Sequence, residues 1–243
     1  MTNLQRDFYE DYHREAPSHP IEVLKQDRRR DALLSLLPEQ PGSVLFVGCG
    51  RGEELGIVDS RAAAIDWSLT GLVEARKHRS EPRVSQADAC HLPFPSHAFD
   101  TVICSEVIEH IPAVEMAIAE MARVLEPDGR LVLSTPNYWS WFGLARVLAE
   151  GITGRPVTSA DQPYDRWSTP RSLKALLQPC FEKSEIVGAW FFPPFGRGDR
   201  QISPRLTVPL VRLLGPLDRV SSTVFPWFGH LILVRAKPRE LTP

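Results

Sequence analysis

The chain has 243 residues, of which 43% are hydrophobic and 24% are charged, and its formal net charge is -2 at pH 7. These values predict a single soluble α/β domain that is large enough to bury a core and to carry small insertions. A net charge so close to zero excludes recruitment of nucleic acid by bulk electrostatics, so we expect no nucleic-acid partner.

Cysteine usage and the N-terminus predict the cellular setting. The four cysteines show no CxxC spacing, which argues against a zinc site or a disulfide framework. The first residues are polar and acidic, unlike a signal peptide, and no run of 18 apolar residues is present. We therefore expect a cytoplasmic protein without a transmembrane segment.

Residues 1–42 are predicted to form an N-terminal arm and a helix ahead of the main domain. The first twenty residues could form an arm or a short helix, and Tyr9, Tyr12 and His13 could close over the cofactor from it, but a disordered tail is the favoured prediction. The segment "IEVLKQDRRRDALLSLLP" predicts a helix that ends at Pro38. Its three arginines are expected on a solvated face, because Asp27 and Asp31 flank them.

Strands and helices alternate from residue 43 to residue 136. "SVLFV", "RAAAID", "RVSQAD", "FDTVICSE" and "RLVLST" read as strands, and "EPDG" as a turn before the last of them. "SLTGLVEARKH" predicts a helix capped by Ser68. "PAVEMAIAEMARVL" predicts another helix, whose apolar stripe is Val114, Ala117, Ile118, Met121 and Leu125. The alternation indicates a doubly wound α/β fold with helices on both faces of a parallel sheet.

The pattern loosens after Pro136. Residues 137–168 and 191–227 are predicted insertions over the active-site face, and together they form a lid in the C-terminal half. Between and after them, "TPRSLKALLQ" reads as a helix, and "KSEIVGAW" and "HLILVRAK" as strands.

A glycine turn follows the first strand in "VLFVGCGRGEEL". A dinucleotide site requires GxGxxG, but here the third glycine is Gly52, one position early, and Glu53 and Glu54 follow it. Carboxylates in this position would repel a diphosphate and satisfy the helix dipole themselves. The turn therefore favours a nucleoside ligand without phosphate, such as S-adenosylmethionine.

Asp66 ends the second strand, 18 positions after Gly48. At about this spacing an acidic side chain accepts hydrogen bonds from a ribose diol. Trp67 beside it could lie against the adenine. On its own, Asp66 would be interpreted as a helix cap; combined with the glycine turn, ribose binding is the favoured interpretation.

Four segments carry a family resemblance: "VLFVGCGRGEEL", "AIDWS", "QADACHLPFPSHAFDTVICSEVIEHI" and "EMARVLEPDGRLVLSTPN". In this order the chain resembles the class I S-adenosylmethionine-dependent methyltransferases, nearest to the small-molecule group that includes quinone-biosynthesis methyltransferases. The resemblance implies a seven-stranded Rossmann-like sheet in the order 3-2-1-4-5-7-6 within residues 43–243, with "HLILVRAK" antiparallel.

The resemblance also implies which residues hold the cofactor. Asp88 would bind the adenine amino group with Ala89 beside the ring, and Ser105 and Glu106 would line the methionine end. The remaining implied contacts are Asp66, Trp67 and the turn residues Val47, Gly48, Cys49 and Gly50.

Two features depart from the family pattern. The family usually has an acidic residue, which helps to hold the amino acid end of the cofactor, where this chain has Phe46. Glu53 could take over that contact. The segment "EELGIVDSR" is short, so the first helix of the domain is expected to have only one or two turns.

The loop "SEVIEHI" contains the candidate catalytic residues, His110 and Glu106. His110 has a suitable unperturbed pKa for a general base. The alternative, which we favour, is that it packs at the start of the next helix. Glu106, Glu109 and His110 also resemble a cluster by which some relatives hold a divalent ion. No metal is our main expectation, with Mg²⁺ as the alternative.

The sequence thus predicts in-line methyl transfer to a small, fairly apolar acceptor, with oxygen as the favoured target and nitrogen or carbon as alternatives. The aromatic insertions suit an apolar lid or peripheral contact with a membrane, and equally plain packing over the sheet. Two rival functions stay open: a non-catalytic subunit that binds the cofactor or its demethylated product, and an NAD-dependent oxidoreductase.

Overall fold

A computed structural model of the protein describes residues 3–14, 20–58, 62–77, 83–154, 162–191 and 203–239. Seven strands lie in these ranges: Val44–Val47 (β1), Ala62–Asp66 (β2), Arg83–Gln86 (β3), Phe99–Ser105 (β4), Leu125–Pro136 (β5), Phe181–Ala189 (β6) and Leu231–Pro238 (β7). They form one sheet in the order β3-β2-β1-β4-β5-β7-β6. The predicted order is therefore confirmed.

Strand direction also matches the prediction. β1, β2, β3, β4 and β5 pair in parallel, and β7 runs antiparallel to both β5 and β6. β1 pairs with β2 on one side and with β4 on the other, so the strand order reverses beside β1. A crevice at the carboxyl ends of the strands is expected at such a point, and this places the glycine turn in it.

Seven α-helices accompany the sheet in the described ranges: Asn3–Tyr12 (α1), Pro20–Leu36 (α2), Leu69–Ala75 (α3), Val114–Val124 (α4), Trp141–Thr153 (α5), Pro170–Leu177 (α6) and Pro204–Val224 (α7). Ser68 caps α3 as predicted, because its side chain accepts a hydrogen bond from the Gly71 amide at 3.1 Å. A single 3₁₀ turn, Leu55–Ile57, stands where a shortened first helix was expected.

Helices cover both faces of the sheet. On one face, four of the five predicted stripe residues lie on α4 and pack into the core, with Ala117 and Met121 fully buried, whereas the fifth, Leu125, begins β5. On the other face, Leu33 and Leu36 of α2 pack into a second core cluster. Because both faces are covered, the whole of β1 is buried, which explains why its sequence is a continuous apolar run.

The N-terminal segment differs from its prediction. Residues 3–12 form α1, which packs against α3, so the expectation of a disordered tail is wrong for this part of the chain. Polar side chains of α1 explain the difference. They find hydrogen-bond partners on the main domain, and such pairing cannot be deduced from the helix sequence alone.

The "EPDG" turn is absorbed into β5 as an irregularity. Leu125 pairs with Phe99, and the next paired residue of β5 is Arg130, opposite Thr101. The intervening residues form an excursion from the ladder. Gly129 is required there, because a Cβ would lie 2.9 Å from the Glu126 carbonyl oxygen.

The two predicted insertions contain α5 and α7 respectively. Residues 155–161 and 192–202 of these insertions lie outside the described ranges. The division at residue 42 and the bounds of the insertions stay predictions. In the described part of the chain, no helix has the length and apolarity required to cross a membrane.

Candidate functional site

The glycine turn after β1 has the backbone geometry that its sequence predicts. Gly48, Gly50 and Gly52 have φ values of +74°, +51° and +85°, in the left-handed region that favours glycine. A Cβ on Gly48 would also lie 2.3 Å from a methyl group of Val107. The turn thus brings the main chain close to the carboxyl ends of β1 and β4.

Asp66 holds this turn in place. Its carboxylate accepts hydrogen bonds from the Gly50 amide at 2.7 Å and from the Ser68 amide at 2.8 Å. Burial raises the pKa of this carboxyl, and the hydrogen bonds from Ser68 and Gly50 oppose that effect. Each carboxylate oxygen can accept a second bond, so the interaction with the turn leaves acceptor capacity for a ribose.

A cavity of about 530 Å³ opens beside the turn. Its size lies in the range of small-molecule sites. Six of the predicted cofactor residues line it: Val47, Gly48, Cys49, Gly50, Ser105 and Glu106. The other lining residues come from three regions, namely α1 and its end (Phe8, Asp11, Tyr12, His13), α2 (Gln26, Arg29) and the sheet with its first loop (Phe46, Arg51, Glu53, Glu54, Leu55, Ile103).

The four residues predicted to bind the adenosine part of the cofactor lie outside the cavity lining. Asp66, Trp67, Asp88 and Ala89 are not among the residues that line the cavity. Asp88 accepts a hydrogen bond from the Cys90 amide at 2.8 Å, and Ala89 packs against the core. The Trp67 carbonyl accepts one from the Gln86 side chain. These residues follow β2 and β3 at the same edge of the sheet, next to the cavity's loop.

The end of β4 supplies two polar groups to the cavity. Ser105 Oγ lies 3.0 Å from Ser134 Oγ, and Ser134 Oγ donates to Glu106 Oε1 at 3.1 Å. Burial raises the pKa of Glu106, while Arg29 has the opposite effect. Glu106 has φ +57°, an uncommon conformation for a residue with a side chain, and such conformations are often found at functional sites.

Arg29 contradicts the prediction for the three arginines of α2. Its side chain is 17% exposed, and its Nε donates to Glu54 Oε1 at 2.5 Å. Burial would lower the pKa of Arg29, but the carboxylates of Glu54 and Glu106 raise it above its usual range. A signal for this placement was available, because Arg29 lies four positions before the buried Leu33.

Phe46 stands where the family usually has an acidic residue, and Glu53 was predicted to take over the contact of that residue. Phe46 is 3% exposed and belongs to the apolar core. Glu54, which we did not single out as a substitute, reaches the end of β4 and accepts a hydrogen bond from Ser105 Oγ at 3.2 Å. Glu53 also lines the cavity, with Arg51 at 3.8 Å. Two carboxylates thus face the region that lacks the family's acidic residue.

His110 lies in a 3₁₀ turn after β4, and it does not line the cavity. Its Nδ1 is 3.1 Å from the Tyr164 carbonyl oxygen, which can only accept, so Nδ1 carries the proton and Nε2 is left as the basic atom. Burial lowers the pKa of His110 below its usual value. Its ring also packs near Tyr9, with 5.7 Å between centroids. The basic Nε2 atom is compatible with a general base, and the contact with Tyr9 is compatible with a packing role.

The alternative metal ligands are engaged with protein groups. Glu109 Oε2 accepts from Thr135 Oγ1 at 3.3 Å, and its Oε1 lies 3.8 Å from His110 Nε2. Burial raises the pKa of Glu109 well above its usual range, and Glu106 adds to that effect. Over the residues that the structure describes, no group of three or more His, Cys, Asp or Glu side chains is arranged to hold a metal ion.

The N-terminal helix closes one side of the site. Glu10 of α1 accepts hydrogen bonds from the amides of Leu69 and Thr70 at 2.7 and 2.8 Å, at the start of α3. His13 lies over the glycine turn, since a Cβ on Gly50 would be 3.1 Å from its Cε1. The arm therefore covers the loop and the carboxyl end of β2 together.

Comparison with known proteins connects this geometry to a family. Residues 45–133 match the family described as "Methyltransferase domain". A ubiquinone biosynthesis O-methyltransferase of Azorhizobium caulinodans is 30% identical over 195 residues, which cover 73% of this chain and 77% of that protein. The chain belongs to the class I S-adenosylmethionine-dependent methyltransferases.

Other members of the class I methyltransferases show how far the likeness extends. The mitochondrial ubiquinone biosynthesis O-methyltransferase of mouse is 31% identical over 212 residues, but the match spans only 57% of its length. A crystal structure of an S-adenosylmethionine-dependent methyltransferase from Thermotoga maritima matches with a TM-score of 0.64 at 18% identity, covering 87% of this chain and 88% of that one. The structural match shows the shared fold.

Proposed function

We propose that this protein transfers a methyl group from S-adenosylmethionine to a small, fairly apolar acceptor, most readily at an oxygen atom. The observation that carries the proposal is the glycine turn, which lines a cavity where four carboxylate residues (Asp11, Glu53, Glu54 and Glu106) outnumber the two arginines, Arg29 and Arg51. Carboxylates attract a sulfonium or an ammonium group and repel a diphosphate. This combination favours the methyl donor over a dinucleotide.

The residues present fit the donor. A Cβ on Gly48 or Gly50 would intrude on neighbouring side chains, so the turn is built for close approach of the backbone. Glu54 is the carboxylate we assign to the donor's ammonium group. In the described hydrogen bonds, Glu54 engages Arg29 only through Nε, so the guanidinium keeps further N–H donors for the donor's carboxylate.

We assign the nucleoside to the edge of the sheet at β2 and β3. Asp66 would accept from the ribose, Trp67 would lie against the adenine, and Asp88 would accept from its amino group beside Ala89. The support is topological, because the carboxyl ends of parallel strands meet at one edge. His13 lies against Gly50 in this region, so α1 has to adjust when the nucleoside enters.

When bound, S-adenosylmethionine supplies an electrophilic methyl group. The task of this chain is then to align the acceptor oxygen and to exclude water, and such alignment lowers barriers by roughly 7–11 kcal/mol. An acceptor hydroxyl also has to lose a proton. Two residues are candidates for that proton. Glu106 lines the cavity, whereas His110 does not, although burial lowers the pKa of His110 and favours its neutral, basic form.

The names of the relatives and the aromatic, apolar insertions indicate the chemical class of the acceptor. Several relatives are named ubiquinone biosynthesis O-methyltransferases. By analogy we propose a quinone-like or phenolic acceptor for this chain, with peripheral membrane contact, because acceptors of that polarity dissolve in lipid.

The test is release of S-adenosylhomocysteine during incubation with S-adenosylmethionine and a panel of alkyl-substituted phenols and catechols. We expect turnover with at least one hydroxylated acceptor and none with its methyl ether. Tight binding of S-adenosylhomocysteine without turnover on any acceptor would favour the non-catalytic subunit. Stabilisation by NADH and not by S-adenosylhomocysteine would favour the oxidoreductase.

The same assay tests the metal alternative. We propose methyl transfer without a metal, so an excess of chelator should leave the rate unchanged. A rate that falls with chelator and returns with added Mg²⁺ would instead assign Glu106, Glu109 and His110 as ligands.

A further inference from the structure

An exposed apolar stripe runs along the whole of α7. It consists of Leu206, Leu210, Leu213, Leu217, Val220 and Val224, spaced alternately by four and three residues. Leu213 is 76% exposed and Leu206 is 69% exposed. The opposite face of the helix, with Val211 fully buried, packs against α2 and Trp190. The stripe is therefore additional to the face that holds the helix on the domain.

A second exposed apolar surface lies on α5. On α5, Leu144, Leu148 and Ile152 are 49%, 57% and 85% exposed. The two helices are neighbours, because Phe142 of α5 packs in the same cluster as Val208 and Leu214 of α7.

Aromatic side chains connect the two surfaces. Trp141 at the start of α5 makes an edge-to-face contact with Phe228, just after α7, at 5.6 Å between ring centroids. Trp139 and Trp227 are 52% and 58% exposed. Single exposed apolar residues are common, but an adjoining set of this extent marks an interaction surface. Tryptophan is also enriched where a protein meets the headgroup region of a bilayer.

The charges on α7 identify the partner. Arg205 and Arg212 are exposed and seven positions apart, so they form a row along one border of the apolar stripe. Among the exposed α7 side chains that the structure describes, both charged ones are cations. An apolar stripe bordered by arginines is the pattern of a helix that lies in the interface of an anionic membrane.

A second copy of the chain is a poorer partner for the same stripe. Two copies packed antiparallel, stripe against stripe, would bring their rows of arginines together, and these like charges would repel. We propose that the α7 stripe, with the exposed aromatic side chains Trp141, Trp227 and Phe228 beside its end, docks on a lipid surface that carries anionic headgroups. This surface deepens the membrane contact of the proposed function, but none of its residues lines the cofactor cavity, so docking can be tested without cofactor or acceptor.

The experiment is co-sedimentation of the full chain with vesicles, without cofactor or acceptor. One set contains phosphatidylcholine alone, and the other contains about one third phosphatidylglycerol. The variant Leu213→Ser/Leu217→Ser should weaken partitioning about tenfold or more, because two side chains no longer enter the interface. Arg205→Gln/Arg212→Gln should weaken partitioning to the anionic set by about fivefold for each charge and leave the other set unchanged.

The matched controls replace exposed apolar side chains on other helices by serine. Met116→Ser on α4 and Val73→Ser on α3 alter side chains that are 49% and 48% exposed, and both should bind vesicles like the wild type. Thermal melts verify that each variant folds. Leu206→Ser/Leu210→Ser repeats the test on the same stripe if the first pair fails to fold.

Three results would overturn the proposal. The wild-type chain could fail to sediment with the anionic vesicles. It could bind both vesicle sets equally and be insensitive to the arginine substitutions. Finally, sedimentation velocity could show a dimer in the absence of lipid that Leu213→Ser/Leu217→Ser abolishes, and this would assign the stripe to a second copy of the chain.

Discussion

The ion pair between Arg29 and Glu54 joins α2 to the loop after β1 and forms part of the cavity wall. We predict that the substitutions Arg29→Met and Glu54→Gln are strongly coupled in stability, and that each also weakens binding of S-adenosylhomocysteine. The pair has 2.5 Å between Nε and Oε1, and its side chains are 17% and 16% exposed. Each single variant leaves one charge in the wall without its partner.

The expected magnitude follows from this geometry. Two unit charges about 4 Å apart attract by roughly 4 kcal/mol at an effective dielectric constant of about 20. The cost of removing both groups from water offsets part of this attraction. We therefore expect a coupling free energy of about 2 kcal/mol, within the usual range for contacting residues. For a chain of this size, each kcal/mol lowers the melting temperature by roughly 2–4 °C.

The assay is a double-mutant cycle by urea denaturation, with calorimetry for ligand affinity. Arg235→Met and Glu185→Gln provide the matched control, because that pair has the same 2.5 Å separation but is 40% and 51% exposed. Its coupling should fall at or below about 1 kcal/mol. The double variant Arg29→Met/Glu54→Gln should lose less stability than the two single variants lose together. Its affinity for S-adenosylhomocysteine should stay low. Additive effects, or unchanged affinity in both single variants, would refute the reasoning.

Three further predictions concern the same site. Asp66→Ala should lower affinity for S-adenosylhomocysteine about tenfold or more and also destabilise the fold, since two buried amides lose their acceptor at about 1–3 kcal/mol each; equal melting temperatures would contradict this. For Glu10, burial opposes ionisation but hydrogen bonds at the start of α3 lower its pKa to about 2, so its contribution to holding α1 is complete above pH 4.5 and lost as the pH falls towards 2. Protection of α1 against hydrogen exchange, corrected for the intrinsic pH dependence of amide exchange, should therefore fall over that interval and, at neutral pH, in Glu10→Gln. His110→Ala should lower the melting temperature and leave kcat nearly unchanged, because the ring packs near Tyr9 and does not line the cavity; a kcat lowered about 10²–10⁴-fold at an unchanged melting temperature, with loss of an acid limb, would instead assign His110 as the base.

Much of the sheet could be predicted because its determinants are local. The buried run of β1, the stripe of α4 and the Ser68 cap each depend on residues adjacent in sequence or at helical spacing. The glycine turn was also predictable from local sequence, because glycine is the residue that readily adopts the positive φ values found there. The strand order came from the family resemblance and not from these local patterns.

The remaining features depend on contacts between distant segments. Arg29 was expected in solvent because its sequence neighbours are charged, yet its partner Glu54 lies 25 positions away. The arm was expected to be disordered, but Glu10 finds backbone donors at Leu69 and Thr70, which are 59 and 60 positions away. A one-dimensional pattern contains no information about such partners, so the contributions of Arg29 and of α1 to the cavity wall became visible only in the structure.

The central claim is that the glycine turn and its surrounding carboxylates bind a sulfonium nucleoside. Isothermal titration calorimetry of the full chain with S-adenosylmethionine, S-adenosylhomocysteine and NADH tests it most directly. We predict saturable binding of the first two ligands at a single competitive site, weakened in Asp66→Ala and Glu54→Gln, and no binding of NADH. Absence of heat with both sulfur nucleosides, together with saturable binding of NADH, would contradict the account.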